Sequence, residues 1–413
     1  MRSNPNKAPR VLYVVYWGAL EPLGRSLVLP AVGKLSGLGA NLTLVTFEKP
    51  SDLADVEEVL AVRTFLEDLG VQWIPLGYHK RPKIPATAFD VVHGWAKCIF
   101  FALRSRPDIV HARTFVGGLI GAVVARVFSA KLIYHNEGFY PDEQVDGGTW
   151  RAGSAPHLIA KFVEQGMYNR ADGIIAMSNR AVDVIQAFPT VRRRRTPVIV
   201  VPSCVDLDHF HCQPTGPDAR NSELRLVYVG SVGGRYILDR IGRFVAIAAE
   251  MVNGVKLRVL TGSEPRLVAS MLESGGLDRS LWSLDSVGRD GMPFELSRQD
   301  AGFSFLTRGL SEHGCSPTKI GEYWAMGLPV ITTPNVSDTD EIIRGERVGV
   351  IVRDHSDVSY RDAVADLLAL LEDPQTPERC RRAAEIHYAL DPACRRQAIL
   401  YDSLCLPGMP ADV

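Results

Sequence analysis

Short runs rich in Val, Ile and Leu alternate with longer amphipathic stretches along most of this chain, in two successive series. In the first, the predicted strands are Arg10–Trp17, Asn41–Glu48, Val71–Tyr78, Asp108–Ala112, Lys131–Asn136, Asp172–Met177 and Val198–Val201. Their near-continuous hydrophobicity belongs to strands buried on both faces, as in a parallel sheet. Helical patterns such as Ser51–Gly70 and Val116–Phe128 fill the gaps. A repeated strand–helix unit predicts a doubly wound open sheet.

The second series predicts strands at Leu224–Gly230, Lys256–Gly262, Trp282–Val287, Gly302–Leu306, Pro329–Thr333 and Val348–Val352, and a mostly helical tail from Tyr360 to about Leu404. A chain of 413 residues exceeds what one core usually supports. The expectation is therefore two Rossmann-like domains, residues 1–210 and 223–388. The turn-forming residues around Pro214–Ser222 place a linker at 211–222, and a C-terminal helix and tail occupies 389–413 and crosses back toward the first domain. In such sheets ligands bind beyond the carboxyl ends of the strands, so the strand-to-helix loops are where chemistry is expected.

Composition narrows the class further. The chain is 46% hydrophobic and 23% charged, with a net charge of −1. No charge-free apolar run reaches the roughly 18 residues of a membrane span, and Val11–Trp17 is too short for a signal segment. Seven scattered cysteines without a CxxC argue against a disulfide framework or a zinc site and suit a reducing cytoplasm. Residues 1–210 hold 24 Lys and Arg against 19 Asp and Glu, and the remainder 22 against 28. That asymmetry fits different partners for the two halves, or ordinary scatter.

Three loops carry candidate chemistry. In Ser316-Pro-Thr-Lys-Ile-Gly-Glu-Tyr-Trp-Ala-Met-Gly-Leu-Pro-Val330, Ser316 suits an N-cap, Pro317 the first helical position and Gly327 the stop. Lys319 and Glu322 project from one helix face, where a lysine near the N-terminus favours a phosphate and a carboxylate accepts from adjacent hydroxyls. A surface ion pair between them is the alternative. The strand at Leu224 runs into Gly230-Ser-Val-Gly-Gly-Arg235, with a helix from about Tyr236. Gly230, Gly233 and Gly234 allow amides to approach a diphosphate, or form a plain tight turn. The spacing is not GxGxxG, which disfavours NAD. In the first half, Pro107-Asp-Ile-Val-His-Ala-Arg113 places His111 and Arg113 at a strand's exit, either structural or functional.

The block Ser316–Val330, with Ile331-Thr-Thr-Pro and the acidic Asp338–Ile343, resembles the nucleotide-sugar site of family 4 glycosyltransferases, whose members read Glu-x7-Glu-Ala-Met-Ala-x-Gly-x-Pro-Val. The Ser-Pro-x-Lys start is similar to one branch of that family. The resemblance implies a GT-B fold, two Rossmann-like α/β domains facing a cleft, and transfer from a nucleotide-activated sugar to a hydroxyl with retention of configuration. The donor would sit in the second domain and the acceptor in the first. Glu322 matches the ribose-binding glutamate. The first family glutamate would fall at Gly314, and Glu312 stands in for it. The diphosphate is expected on Gly230, Ser231, Gly233, Gly234, Arg235 and Lys319. His111 is expected to face the transferred sugar, making His111, Glu312 and Lys319 the catalytic set. On the acceptor side the candidates are Gly18 in the first strand-to-helix turn, Arg113, Glu137 and Glu143.

No resident cofactor is expected, only the nucleotide-sugar co-substrate. The acceptor is a glycan, a lipid-linked sugar or a small molecule. Asp206-Leu-Asp208 and Asp338-Thr-Asp340 satisfy DxD, but the supporting oxygen ligands of a metal site are not evident, and no catalytic metal is expected. Arg192–Arg195 reads as a solvated charge run without a nucleic-acid motif. The basic, aromatic stretch Tyr78–Arg106 fits peripheral contact with an anionic membrane, at its cytoplasmic face, or a core helix with solvated flanks. Alternative functions are a sugar-nucleotide epimerase, a cyclitol-coupling relative, or a catalytically silent partner protein.

Overall fold

The computed structural model describes residues 8–79, 81–211 and 223–405. Nearly all of the expected linker 211–222, and the end of the tail, lie outside the described residues. Two compact units are present. The first comprises residues up to Pro141, Gly153–Pro202 and the chain from Leu390; the second comprises Asp142–Ala152 and Ser203–Ala389.

The first unit holds seven parallel strands: β1 Arg10–Val15, β2 Asn41–Glu48, β3 Gln72–Gly77, β4 Ile109–Arg113, β5 Lys131–His135, β6 Gly173–Ala176 and β7 Val198–Val200. Their order is β3-β2-β1-β4-β5-β6-β7. The second holds β8 Leu224–Val229, β9 Val255–Leu260, β10 Trp282–Asp285, β11 Ala301–Ser304, β12 Val330–Thr332 and β13 Gly349–Ile351, in the order β10-β9-β8-β11-β12-β13. Each sheet starts centrally, winds outward one way, then returns to wind the other. The reversals fall between β1 and β4 and between β8 and β11, where crevices form at the carboxyl ends. All thirteen expected strands are present, several a residue or two shorter than their hydrophobic runs. The extra apolar residues are buried in the adjoining loops, as Phe305 and Leu306 are.

In the first unit Leu12, Val14, Val45, Phe47, Val110 and Ala112 form one core layer with Ile120 and Val124. In the second, Leu226, Tyr228, Leu257, Val259 and Phe303 do so with Phe244 and Tyr360. The helix Leu390–Cys405 belongs to the first unit, where Arg396 donates to the Val200 carbonyl at 3.2 Å and Leu400 lies against Gly173. Residues 142–152 are counted with the second unit, unlike the unbroken 1–210 expected from sequence. The reason is polar: Asp146 and Glu143 find their partners there. Among the described residues one helix, Pro85–Ser105, is long and apolar enough to cross a membrane, despite Asp90, Lys97 and Arg104 within it. A third of it is buried in the unit's own core, through residues such as Val91, Cys98 and Ala102.

Candidate active site

In the second unit, the helix Thr318–Ala325 is fixed by its buried aromatic residues. Tyr323 accepts from the Val229 amide at 3.0 Å, and its ring packs where Gly302 of β11 has no side chain. Trp324 donates to the Val348 carbonyl at 2.8 Å. Gly327, at φ +77°, ends the helix by a turn that other residues rarely adopt. Pro317, not Ser316, is the N-cap; the Ser316 hydroxyl instead accepts from the Ser203 amide at 3.0 Å. Tyr323 thus pins the helix at the point where the sheet reverses, and Lys319, one turn earlier, is carried to the carboxyl end of β8.

Lys319 is 4% exposed, and its Nζ has no hydrogen-bond partner. It lies 3.8 Å from the ring centre of Tyr236 and 4.3 Å from that of Tyr228. Beside it is Gly230, at φ +119°, where a Cβ would stand 3.3 Å from the amine. Burial pulls the Lys319 amine down to about 7, against the opposing pull of Glu322. Burial also pushes the half-buried Glu322 up to about 7, resisted by Lys319 and Arg289. Two π faces stabilise the cation but supply no hydrogen-bond acceptor. An ammonium in this position is short of anionic oxygen.

The glycine turn surrounds this amine. Gly233 and Gly234 also take positive φ, and the helix that follows begins at Leu238, not Tyr236. Tyr236 is instead held to Leu306 by a strand-like bridge, which turns its ring onto Lys319. The Ser231 carbonyl accepts from Tyr228 at 2.5 Å. Arg235, expected to share the diphosphate, is already engaged. It donates to the Ser311 hydroxyl at 3.1 Å and pairs with Glu143 at 3.3 Å. Glu143, expected on the acceptor side, is therefore a neighbour of the glycine turn in the second unit. Asp146 accepts from the Ser311 amide at 3.0 Å and from its hydroxyl at 2.5 Å, fixing the loop before Glu312. Glu312 is 5% exposed with Oε2 unpartnered, and burial pushes its carboxyl up to about 7.

The first unit corrects the expectation for His111. This residue is fully buried, with Nδ1 2.6 Å from the Tyr401 hydroxyl and Nε2 3.0 Å from His135 Nδ1. Both ring nitrogens are occupied by protein groups, and through Tyr401 the residue ties the C-terminal helix to β4. Burial, then the charge of Arg113, lowers His111 well below its ordinary value, and burial, Arg113 and His111 do the same to His135. Both imidazoles are neutral. Arg113 is buried, donates to Glu137, and lies 5.5 Å from the Trp17 ring. Glu137 also lies 3.6 Å from His135 Nε2.

Gly18 donates to Glu21 at 3.1 Å. The next amides, Ala19 and Leu20, donate to the buried Glu48 carboxylate at 2.7 and 3.2 Å, so a protein carboxylate already fills this loop's anion position. Sequence reasoning missed Glu48, His135 and Asn136. The Asn136 side chain is buried with neither polar atom partnered. The signal available was position: all three lie at the carboxyl ends of β2 and β5.

Residues 28–202 match the family model of the glycosyl transferase 4-like domain. That segment is similar to the glycosyl transferase 4-like family, and the two parallel-sheet units have the GT-B fold. Sucrose-phosphate synthase of Thermosynechococcus elongatus superimposes with a TM-score of 0.71 at 14% identity, over 96% of this chain and 99% of that one. HepE of Anabaena, in complex with UDP and glucose, gives 0.66 at 12% identity, over 96% and 100%. A UDP-N-acetylglucosamine 2-epimerase gives 0.59 at 12% identity, over 99% of each chain. No curated protein matches the chain.

One aspartate of each DxD pair, Asp206 and Asp340, has structural partners. Asp206 accepts from the Asp208 and His209 amides and from Arg289 at 3.0 Å. Asp340 accepts from the Asn335 amide at 2.9 Å. Among the described residues no group of three His, Cys, Asp or Glu is placed to hold a metal ion.

Proposed function

We propose that this chain is a retaining glycosyltransferase that binds a nucleoside-diphosphate sugar in its second unit and transfers the sugar to a hydroxyl acceptor. The carrying observation is the Lys319 amine, buried, without a hydrogen-bond partner, and lodged against a turn of positive-φ glycines at a sheet reversal. A diphosphate would supply the oxygen that this amine lacks, with the Gly233 and Gly234 amides sharing its charge. Glu322 on the same helix face would accept from the two ribose hydroxyls. In the transfer step the leaving diphosphate gains charge, and a preorganised ammonium stabilises it without reorganisation. The charge is protein-borne in this reading, so activity should survive a chelator. Glu312 would face the sugar from the second unit. On the acceptor side we retain Arg113 and Glu137 and add the orphaned Asn136. His111 serves as a positioning residue.

UDP is the first nucleotide to try, since HepE and a Staphylococcus aureus MnaA structure both hold it. A thermal-shift screen of UDP, GDP, ADP, TDP and CMP tests the reading. One nucleotide should raise the melting temperature by mass action, and Lys319→Ala and Glu322→Ala should abolish the rise. If both variants bind nucleotide unchanged, the enzyme reading fails. The epimerase likeness supports a second reading, conversion of the nucleotide sugar itself. Incubation with donor alone separates the two, because an epimerase forms product without an acceptor.

A further inference from the structure

The first unit has an outer helical layer whose surface no part of the transferase reading uses. The helix Lys83–Ser105 packs on Phe115–Phe128, which in turn packs on Ala155–Arg170, and the short helix Pro189–Arg194 adjoins the last. Along Lys83–Ser105 the residues Phe89, Val92, Ala96, Phe100 and Leu103 recur at three- and four-residue steps, which is one face of a helix. All are exposed; Leu103 is 62% exposed. Gly94 lets the opposite face approach closely, since a Cβ there would meet Ile120 at 2.7 Å. The apolar stripe is thus turned outward while its helix is held tightly by the core. On Ala155–Arg170 the exposed residues include Leu158, Ile159 and Phe162, the last 78% exposed, and Val127 stands exposed on the helix between.

The exposed charges of these four helices have one sign. Lys97, Arg104, Arg126, Arg170, Arg192 and Arg193 are exposed, as is Arg194, which pairs with the adjacent Asp172 at 3.5 Å. The four helices contain only two carboxylates, Asp90 and Glu164, and both are buried. Asp90 is engaged by Tyr16 and His79, and Glu164 by Lys161 at 2.7 Å. Lys97 and Arg104, seven residues apart, border the apolar stripe, and Arg104 lies 5.3 Å from the Phe100 ring.

We propose that this face docks on an anionic lipid bilayer, its apolar side chains entering the headgroup boundary and its cations meeting lipid phosphates. An apolar surface rimmed by cations, on helices that carry no exposed carboxylate, is complementary to such a membrane. A second copy of the chain would bring the same cations against themselves. The docking face spans a layer of packed helices beyond the basic segment 78–106, and it lies in the first unit, whereas the donor site lies in the second.

The test is flotation of the purified full chain with phosphatidylcholine vesicles, with and without phosphatidylglycerol. The chain is expected to float with the anionic vesicles only, and less so as salt is raised. Lys97→Gln with Arg104→Gln should weaken partitioning roughly 25-fold, at about fivefold per charge. Phe100→Ser with Phe162→Ser should weaken it by at least about tenfold. Ile386→Ser, an exposed apolar residue of the second unit, should float like the parent. Unchanged melting temperatures and circular dichroism show that the variants fold. Failure to float with anionic vesicles overturns the proposal. So does equal flotation of every variant, or a dimer in solution that the Phe100→Ser, Phe162→Ser variant dissociates.

Discussion

Replacing Lys319 with Met should stabilise the empty protein while removing its grip on nucleotide. The amine is shifted from 10.5 to about 7 by burial. Between those values the unfolded chain holds a proton that the folded chain does not, so stability rises with pH across this window. At pH 7.5 the penalty corresponds to about 4 kcal/mol as a ceiling, from about 1.4 kcal/mol per unit. Loss of two cation–π contacts and imperfect packing of Met offset part of it. The expected net gain is about 1–2 kcal/mol, or roughly 2–8 °C in melting temperature. Nucleotide affinity should fall about 10- to 150-fold, the worth of one charge-assisted hydrogen bond of about 1.5–3 kcal/mol. Thermal denaturation with and without UDP, from pH 6.5 to 9, reads both effects. A lower melting temperature in the variant, or an undiminished shift on adding UDP, would refute the reasoning.

Three further outcomes follow from the same structure. His111→Ala should destabilise the first unit by about 2–4 kcal/mol, because it leaves the buried Tyr401 hydroxyl and His135 unpaired; urea denaturation should show this with UDP binding intact. Glu312 has a folded value raised from 4.5 to about 7, so its stabilising contribution is full below 4.5 and is lost as pH rises through 7. Glu312→Gln should flatten the stability profile across that interval, by at most about 3 kcal/mol, while lowering the rate of transfer. Gly230→Ala should cost about 1 kcal/mol or more, because φ is +119° and the new methyl crowds the amine. Calorimetric titration should find UDP affinity reduced as well.

The sheets were legible because their strands are buried on both faces, and period and burial then point the same way. Asn41–Glu48 matches its expected bounds, and β11 ends at Ser304 because beyond it Leu306 pairs with Tyr236 of the glycine turn instead of with the neighbouring strand. The Lys319 helix was legible because Gly327 and Pro317 punctuate it. What failed were judgements that depend on which partner a polar group finds. Ser316 has the chemistry of a cap but bonds to Ser203, over a hundred residues away in sequence. His111 sits near a strand exit, yet Tyr401 and His135 close around it, and neither contact has a local signature. Glu48 resembled the last residue of an ordinary strand until the Ala19 and Leu20 amides turned onto it. Short-range pattern encodes elements; long-range polar pairing decides roles.

Electron density for UDP bound to the crystallised protein bears most directly on the donor pocket. The diphosphate should lie within hydrogen-bonding reach of Lys319 Nζ and of the Gly233 and Gly234 amides, with the ribose hydroxyls on Glu322. Density for the nucleotide elsewhere, with that amine still bare between Tyr228 and Tyr236, would contradict the account.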